Sequence, residues 1–214
     1  MNILFLHSSI LGPQSVTRTL SAALLERLQS TYPDASIAHR NLAEDPIPHI
    51  SSQYLQALTD PAAPRSSAIE AEIAQSAAVM AEFKAADIIV VGAPMYNFGV
   101  PSTLKAWIDR IAVAGETFRY FASGPEGLCK GKQVFILSGR GSALSGTPWE
   151  VMDHQEKHLE TLFGFLGIDD ITIVRAEGVA ASPDARGAAL DAAQQQIAAI
   201  HFVMPASVGE PALI

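Results

Sequence analysis

Residues 87–92 read Asp87-Ile88-Ile89-Val90-Val91-Gly92, a continuous apolar run with no polar alternation. A strand that keeps one face in water alternates apolar and polar side chains. A strand without a polar face must be covered on both sides, as strands are in a parallel sheet between two layers of helix. Gln133-Val134-Phe135-Ile136-Leu137 has the same character, and Asn2-Ile3-Leu4-Phe5-Leu6-His7 opens the chain with another short apolar run.

The segments between these runs carry a helical pattern. Val16, Leu20, Ala23, Leu24 and Leu28 recur at helical spacing over 16–28. Residues 66–85 are alanine-rich and read as a second helix. A third starts at Pro101, which suits a first helical turn, and runs to about 113. A fourth spans 149–165, with Gly167 close to its stop. The last runs from Pro183 to about 202, with Ser182 as its cap. Weaker strands are expected over 35–42 and 170–174. Pro46, Pro48, Pro61 and Pro64 predict irregular chain over 43–64, with a short helix near 53–58.

Strands and helices that alternate in this way build right-handed βαβ units. The expected fold is α/β: a flavodoxin-like, doubly wound, five-stranded parallel sheet of order 2-1-3-4-5 with helices on both faces. A single domain over 1–205 with a C-terminal tail at 206–214 accounts for the 214 residues. Apolar residues make up 49 % and charged ones 17 %, which excludes a disordered chain. A net charge of −8 argues against a nucleic-acid surface, which needs clustered cations. The lone Cys129 rules out an internal disulfide or a cysteine-rich metal centre. No targeting segment and no run of membrane-spanning length is visible, so a cytoplasmic protein with no membrane partner is expected.

In this strand order the ligand belongs beyond the carboxyl ends of the strands, where the order reverses. Three loops meet that condition: 8–17, 93–101 and 138–148. The first carries the hydroxyls of Ser9, Ser15 and Thr17, with Val16, at the mouth of a helix. Free amides and the positive dipole end there suit a phosphate, although Ser15 or Thr17 could equally serve as a simple helix cap. Neither G-x-G-x-x-G nor G-x-x-x-x-G-K-[ST] occurs in the loop, which disfavours a stable dinucleotide or ATP site and leaves a mononucleotide. The second loop places Met95, Tyr96, Asn97 and Phe98 at the ligand edge. Apolar side chains can cover a flat ring and Asn97 can bond its polar edge; core packing and a turn are the competing assignments. The third loop, Gly139-Arg140-Gly141-Ser142, lets amides approach closely, and amides or Arg140 could stabilise negative charge on a bound ring. An ordinary turn with Arg140 in a surface ion pair fits it too.

These residues resemble the bacterial FMN-dependent NADH:quinone oxidoreductases, also called FMN-dependent azoreductases. The resemblance runs through about 3–200. Its most specific stretches are Ser8-Ser9-Ile10-Leu11, Ala93-Pro94-Met95-Tyr96-Asn97-Phe98, Ala114-Gly115-Glu116-Thr117-Phe118-Arg119-Tyr120 and Gly124-Pro125-Glu126-Gly127-Leu128. It implies FMN contacts at Ser9, Ser15, Val16, Thr17, Met95, Tyr96, Asn97, Phe98, Gly139, Arg140, Gly141 and Ser142. It also implies a substrate pocket shaped by Phe118, Tyr120, Asn97 and Phe98, and a homodimer whose two sites are lined by both subunits. NADH or NADPH would be the transient donor, quinones and aromatic azo compounds the acceptors, and the order ping-pong, with no catalytic side chain because FMN carries the hydride. The chain departs from the family where a serine often precedes the third-loop arginine and where some members carry a histidine; here Leu144 stands at that later position.

Two other readings share parts of this pattern. An electron-carrier flavodoxin would have the fold and phosphate loop but no need of the 115–128 insertion. A phosphodiester hydrolase would need a metal cluster or nucleophile motif. His154 and His158 lie at i and i+4, but Glu156 is one place off H-E-x-x-H, so a solvated or subunit-facing surface is the better reading. No metal is expected. Cys129 reads as an incidental thiol, Trp149 as packing and His7 as a buried, satisfied histidine.

Overall fold

The computed structural model describes residues 1–60 and 62–202. The elements are β1 (Asn2–His7), α1 (Val16–Thr31), β2 (Ser36–Asn41), α2 (Ser52–Thr59), α3 (Ser67–Ala85), β3 (Ile88–Pro94), α4 (Ser102–Ile111), β4 (Phe118–Phe121), β5 (Gly124–Gly127), β6 (Gln133–Gly139), α5 (Glu156–Phe165), β7 (Asp170–Ala176) and α6 (Pro183–Ala199). Single 3-10 turns occupy Gly12–Gln14 and Pro148–Met152. The main sheet has the order β2-β1-β3-β6-β7, with every neighbouring pair parallel. Counted by these five strands alone, it is the expected 2-1-3-4-5. The predicted tail at 206–214, the domain end at 205 and Pro61 lie outside the described residues.

The apolar runs behave as their composition requires. Every residue of β3 and β6 is buried. Alternate side chains enter opposite layers. Leu4, Leu6, Ile89, Val91, Val134 and Ile136 pack with Val79 and Phe83 of α3, Trp107 of α4 and Phe163 of α5. Ile3, Phe5, Ile88, Val90, Phe135 and Leu137 pack with Leu20, Leu24 and Leu28 of α1 and Ile197 of α6. Burial of each such side chain stabilises the fold by about 1.5–3 kcal/mol. Ser182 caps α6 as expected, accepting from the Ala185 amide at 3.1 Å.

Three elements differ from expectation. Pro101 caps α4 from outside, and the helix stops at Ile111, whose carbonyl accepts a 2.6 Å bond from the Thr117 hydroxyl. The helix expected over 149–165 is split, because Asp153 Oδ1 accepts the amides of Gln155 and Glu156 at 3.0 and 3.1 Å and starts α5 afresh. The third is the antiparallel β4–β5 hairpin, for which neither strand shows a useful alternation. It is held by backbone contact. A Cβ added to Gly127 would lie 2.1 Å from the Gly167 amide nitrogen, and Gly167 has φ +89°. Only glycine at both positions permits that approach. The hairpin is thereby fixed beside the start of β7, at the amino ends of the sheet strands.

Candidate active site

The carboxyl ends of β1, β3, β6 and β7 enclose a cleft of about 280 Å³. Hydrogen bonds link the loops around it in series. The Ile10 amide donates to Tyr96 Oη at 3.2 Å, joining the first loop to the second. The Met95 amide donates to Gly139 O at 2.8 Å, joining the second to the third. The Ala180 amide donates to Gly141 O at 3.1 Å, joining the third to the loop after β7.

At one end of the cleft, α1 begins. Ser15 is its N-cap, accepting from the Arg18 amide at 3.2 Å, and its Oγ lies 3.1 Å from Thr17 Oγ1. Ser9, Ser15 and Thr17 are all buried yet line the cleft. The helix start lies hard against the sheet. A Cβ on Gly139 would come within 3.0 Å of Thr17 Cγ2 and 3.4 Å of Val16 Cγ1, so the glycine makes room for the helix. Amide ends, a dipole and hydroxyls thus converge on one small volume, as an anion site demands. Leu11, Pro94, Met95, Val179 and Ala180 give the rest of the wall an apolar surface.

The second loop turns sharply. Tyr96 and Gly99 exchange two backbone hydrogen bonds, of 3.0 and 3.1 Å. Asn97 and Phe98 between them have φ of 47° and 69°. Such values are uncommon for a non-glycine residue and carry a strain of about 1–3 kcal/mol for a side chain as large as Phe98. The turn leaves Asn97 and Phe98 exposed next to Tyr96, and the Phe98 carbonyl is held by the His154 amide at 3.0 Å.

Of the residues expected here, the structure brings Ser9, Ser15, Val16, Thr17, Met95, Tyr96, Gly139 and Gly141 onto the cleft wall. Asn97 and Phe98 neighbour that wall without lining it, and Ser142 is exposed in the third loop. Arg140 does not line the cleft, and its side chain is not in a surface ion pair. Its side chain is 1 % exposed and turns inward to Asp153 at 2.6 Å, Glu156 at 2.7 Å and Glu177 at 2.9 Å. Burial pushes the Asp153 carboxyl up, but the Arg140 hydrogen bond and charge, with the Gln155 and Glu156 amides, outweigh it and hold the group below the ordinary carboxylate range. Phe118 does not reach the cleft of its own chain. It is buried against Phe165 and Tyr120 at the other end of the sheet. Tyr120 stands exposed on the same hairpin.

Val179, Ala180 and Arg186 are cleft residues that sequence reasoning did not select. The loop after the last strand obeys the same carboxyl-end rule as the other three, and Gly178 and Ser182-Pro183 mark it as a turn before a helix. Other expectations resolve outside the cleft. Trp149 is 64 % exposed and does not pack in the core, while Cys129 is buried. His7 stacks on His39, with its Nε2 3.3 Å from His39 Nδ1, and among the described residues its own Nδ1 has no partner. Burial, assisted by Arg18 and His39 and opposed by Glu44, lowers its pKa to about 4, which keeps it neutral at physiological pH. Among the described residues no group of three or more His, Cys, Asp or Glu side chains could hold a metal, and no helix is long and apolar enough to cross a membrane.

A family model described as flavodoxin-like fold matches residues 1–200. The chain is 54 % identical over 193 residues to an FMN-dependent NADH:quinone oxidoreductase of Xanthomonas oryzae pv. oryzae (strain MAFF 311018), covering 90 % of this chain and 93 % of that one. It is 50 % identical over 199 residues to the protein of the same name from Bradyrhizobium sp. (strain BTAi1 / ATCC BAA-1182), covering 92 % and 98 %. A solved FMN-dependent NADH-azoreductase from Bacillus anthracis str. Ames Ancestor, in complex with FMN, superposes with a TM-score of 0.82 at 26 % identity over 92 % of this chain and 98 % of that one. With the sheet order, the cleft at its switch point and these likenesses together, the chain belongs to the FMN-dependent NADH:quinone oxidoreductase family, on a flavodoxin-like fold.

Proposed function

We propose that this chain is an oxidoreductase that uses FMN, held in the cleft, to reduce quinones and aromatic azo compounds with NADH or NADPH. One observation carries the reading: the cleft joins an anion cradle at the start of α1 to an apolar wall at Met95 and Tyr96. A mononucleotide with a flat ring has that same division of chemistry. The residues present fit it. The buried Ser15 and Thr17 hydroxyls, with Ser9 and the first amides of α1, would hold the phosphate. Met95, Tyr96 and the backbone of Gly139 and Gly141 would flank the ring. FMN when bound supplies acceptance of a hydride equivalent from the donor and its delivery to the acceptor, in ping-pong order.

The protein's part is to bind, orient and exclude water. The strained Asn97–Phe98 turn presents an amide and an aromatic ring at the cleft mouth, where acceptors must enter. Arg140 acts indirectly, by holding the third loop to the junction between the Pro148–Met152 turn and α5 at Asp153 and to Glu177 beside the fourth loop. Tyr120 is 70 % exposed on a hairpin fixed at the sheet end opposite the cleft, so it cannot serve the cleft of its own chain. It fits a homodimer in which the hairpin of one subunit reaches the cleft of the other. Use of NAD(P)H, a donor kept inside cells, supports a cytoplasmic enzyme.

The test is direct. The purified protein should show a flavin spectrum, lose it when NADH is added without oxygen, and recover it when a quinone follows. A colourless protein, or a yellow one that NADH cannot bleach, overturns the reading; the second result favours an electron carrier. Sedimentation at twice the chain mass, and altered acceptor kinetics with unchanged FMN affinity in Tyr120→Ala, test the shared site.

A further inference from the structure

Arg186 is the charged residue on the cleft wall, and nothing in the family pattern drew attention to it. It lies in the first turns of α6, two residues beyond Asp184, where α6 comes over the start of α1. Its Nη2 donates to the carbonyl of Gln14 at 2.7 Å. Gln14 is the residue immediately before Ser15, the N-cap of α1. The guanidinium is therefore fixed within one residue of the hydroxyl and amide cradle.

One hydrogen bond does not exhaust this side chain. A guanidinium has five N–H donors in a rigid fork and keeps its charge at every physiological pH. Among the described residues Arg186 forms no ion pair and makes only the Gln14 contact. Arg18, Arg40, Arg110, Arg119, Arg140 and Arg175 are each matched with a carboxylate, while Arg27 and Arg65, which like Arg186 bond backbone carbonyls, lie away from the cleft. Arg186 thus brings an unmatched cation to the anion end of a cleft whose other walls are neutral, in a chain of net charge −8. The hydroxyls alone would bind a phosphate dianion without neutralising it.

We propose that Arg186 is a phosphate-binding residue of this enzyme, its free N–H groups pairing with the phosphate monoester of FMN. The proposal rests on the FMN reading of the cleft and assigns a contact within it. It makes the cradle selective for a phosphorylated flavin by charge as well as by hydrogen bonds.

The experiment compares FMN with riboflavin, which lacks the phosphate. Full-length wild-type chain and Arg186→Gln, both stripped of flavin, are titrated with each by fluorescence quenching at several salt concentrations. A charge-assisted contact predicts an FMN affinity about 10–100-fold weaker in the variant, with riboflavin affinity within twofold. The wild-type preference for FMN should also weaken as salt rises, and much less so in the variant. A purely structural anchor on Gln14 would not change that salt dependence. Equal losses for both flavins, an unchanged FMN-to-riboflavin ratio, or an unchanged salt dependence overturns the assignment. So does a selective rise in KM for NADPH over NADH at constant flavin discrimination, which would place the cation on the donor's phosphate. A wild-type chain that binds neither flavin removes the FMN reading and this proposal together. A chain that binds both while Arg186→Gln leaves discrimination intact removes only the proposal.

Discussion

Replacing Arg140 with methionine tests how the cleft loops are held. The guanidinium is almost completely buried and meets carboxylate oxygens of Asp153 at 2.6 Å, Glu156 at 2.7 Å and Glu177 at 2.9 Å, with Ser138 Oγ and Gln155 Oε1 each at 3.2 Å from its Nε. In Arg140→Met, Glu156 keeps Arg175, bonded through Nε at 3.0 and 3.1 Å. Asp153 loses its cation, and its side chain is only 7 % exposed. Breaking a buried pair by deleting one partner costs about 3–5 kcal/mol, because the remaining charge stays desolvated. For a domain of this length, that is a fall in Tm of roughly 6–20 °C. Thermal unfolding at fixed excess FMN is the assay. The pH dependence has a definite sign. In the wild type the Asp153 carboxyl is held low, so its contribution is present above the unfolded value and lost as pH falls through the folded one. In the variant, burial is opposed only by the two amides and pushes the carboxyl up, so the folded state takes up a proton. The deficit should therefore shrink as pH falls from 8 towards 5. A fall in Tm of under 2 °C, or a deficit that ignores pH, would refute the claim that Arg140 neutralises Asp153.

Thr17→Val keeps the shape that packs against Gly139 and removes one hydroxyl donor; FMN affinity should fall about tenfold with stability nearly unchanged, and an unaltered titration removes Thr17 from the cradle. Phe98→Asn should stabilise the fold by about 1 kcal/mol, since asparagine tolerates the left-handed backbone far better, while kcat/KM for quinones drops. No gain in denaturant midpoint would show that the turn is not strained. His7, whose folded pKa is lowered to about 4, contributes stability above its unfolded value near 6.5 that is lost as pH falls towards 4. His7→Asn should lose less stability than the wild type across that window, and parallel pH profiles would count against burial as the cause.

The parallel sheet, its strand order and most of the hydroxyl-lined end of the cleft were legible in the residues. Continuous apolar runs such as Ile88-Ile89-Val90-Val91 have one stable environment, and the switch point follows from strand order without any side-chain contact. Ser9, Ser15 and Thr17 could be located because they lie within a few residues of the strand and helix that position them. The 118–127 hairpin could not, since its place depends on backbone packing of Gly127 against Gly167, forty residues on, which leaves no local periodicity. The break before α5 escaped notice because it is made by Asp153 turning back on its own chain and pairing with Arg140. Arg140 and Arg186 show the same limit in opposite directions. An arginine after a glycine-rich strand end looks like a ligand group, and an arginine inside an alanine-rich helix looks like a solvated surface. The first is drawn into the interior by three carboxylates from later segments; the second is set beside Gln14, across 172 residues of sequence. Local pattern determined which elements form and at which end of the sheet the cleft opens. Only tertiary packing, which brings charges together regardless of sequence separation, decided which cation serves the fold and which faces the cleft.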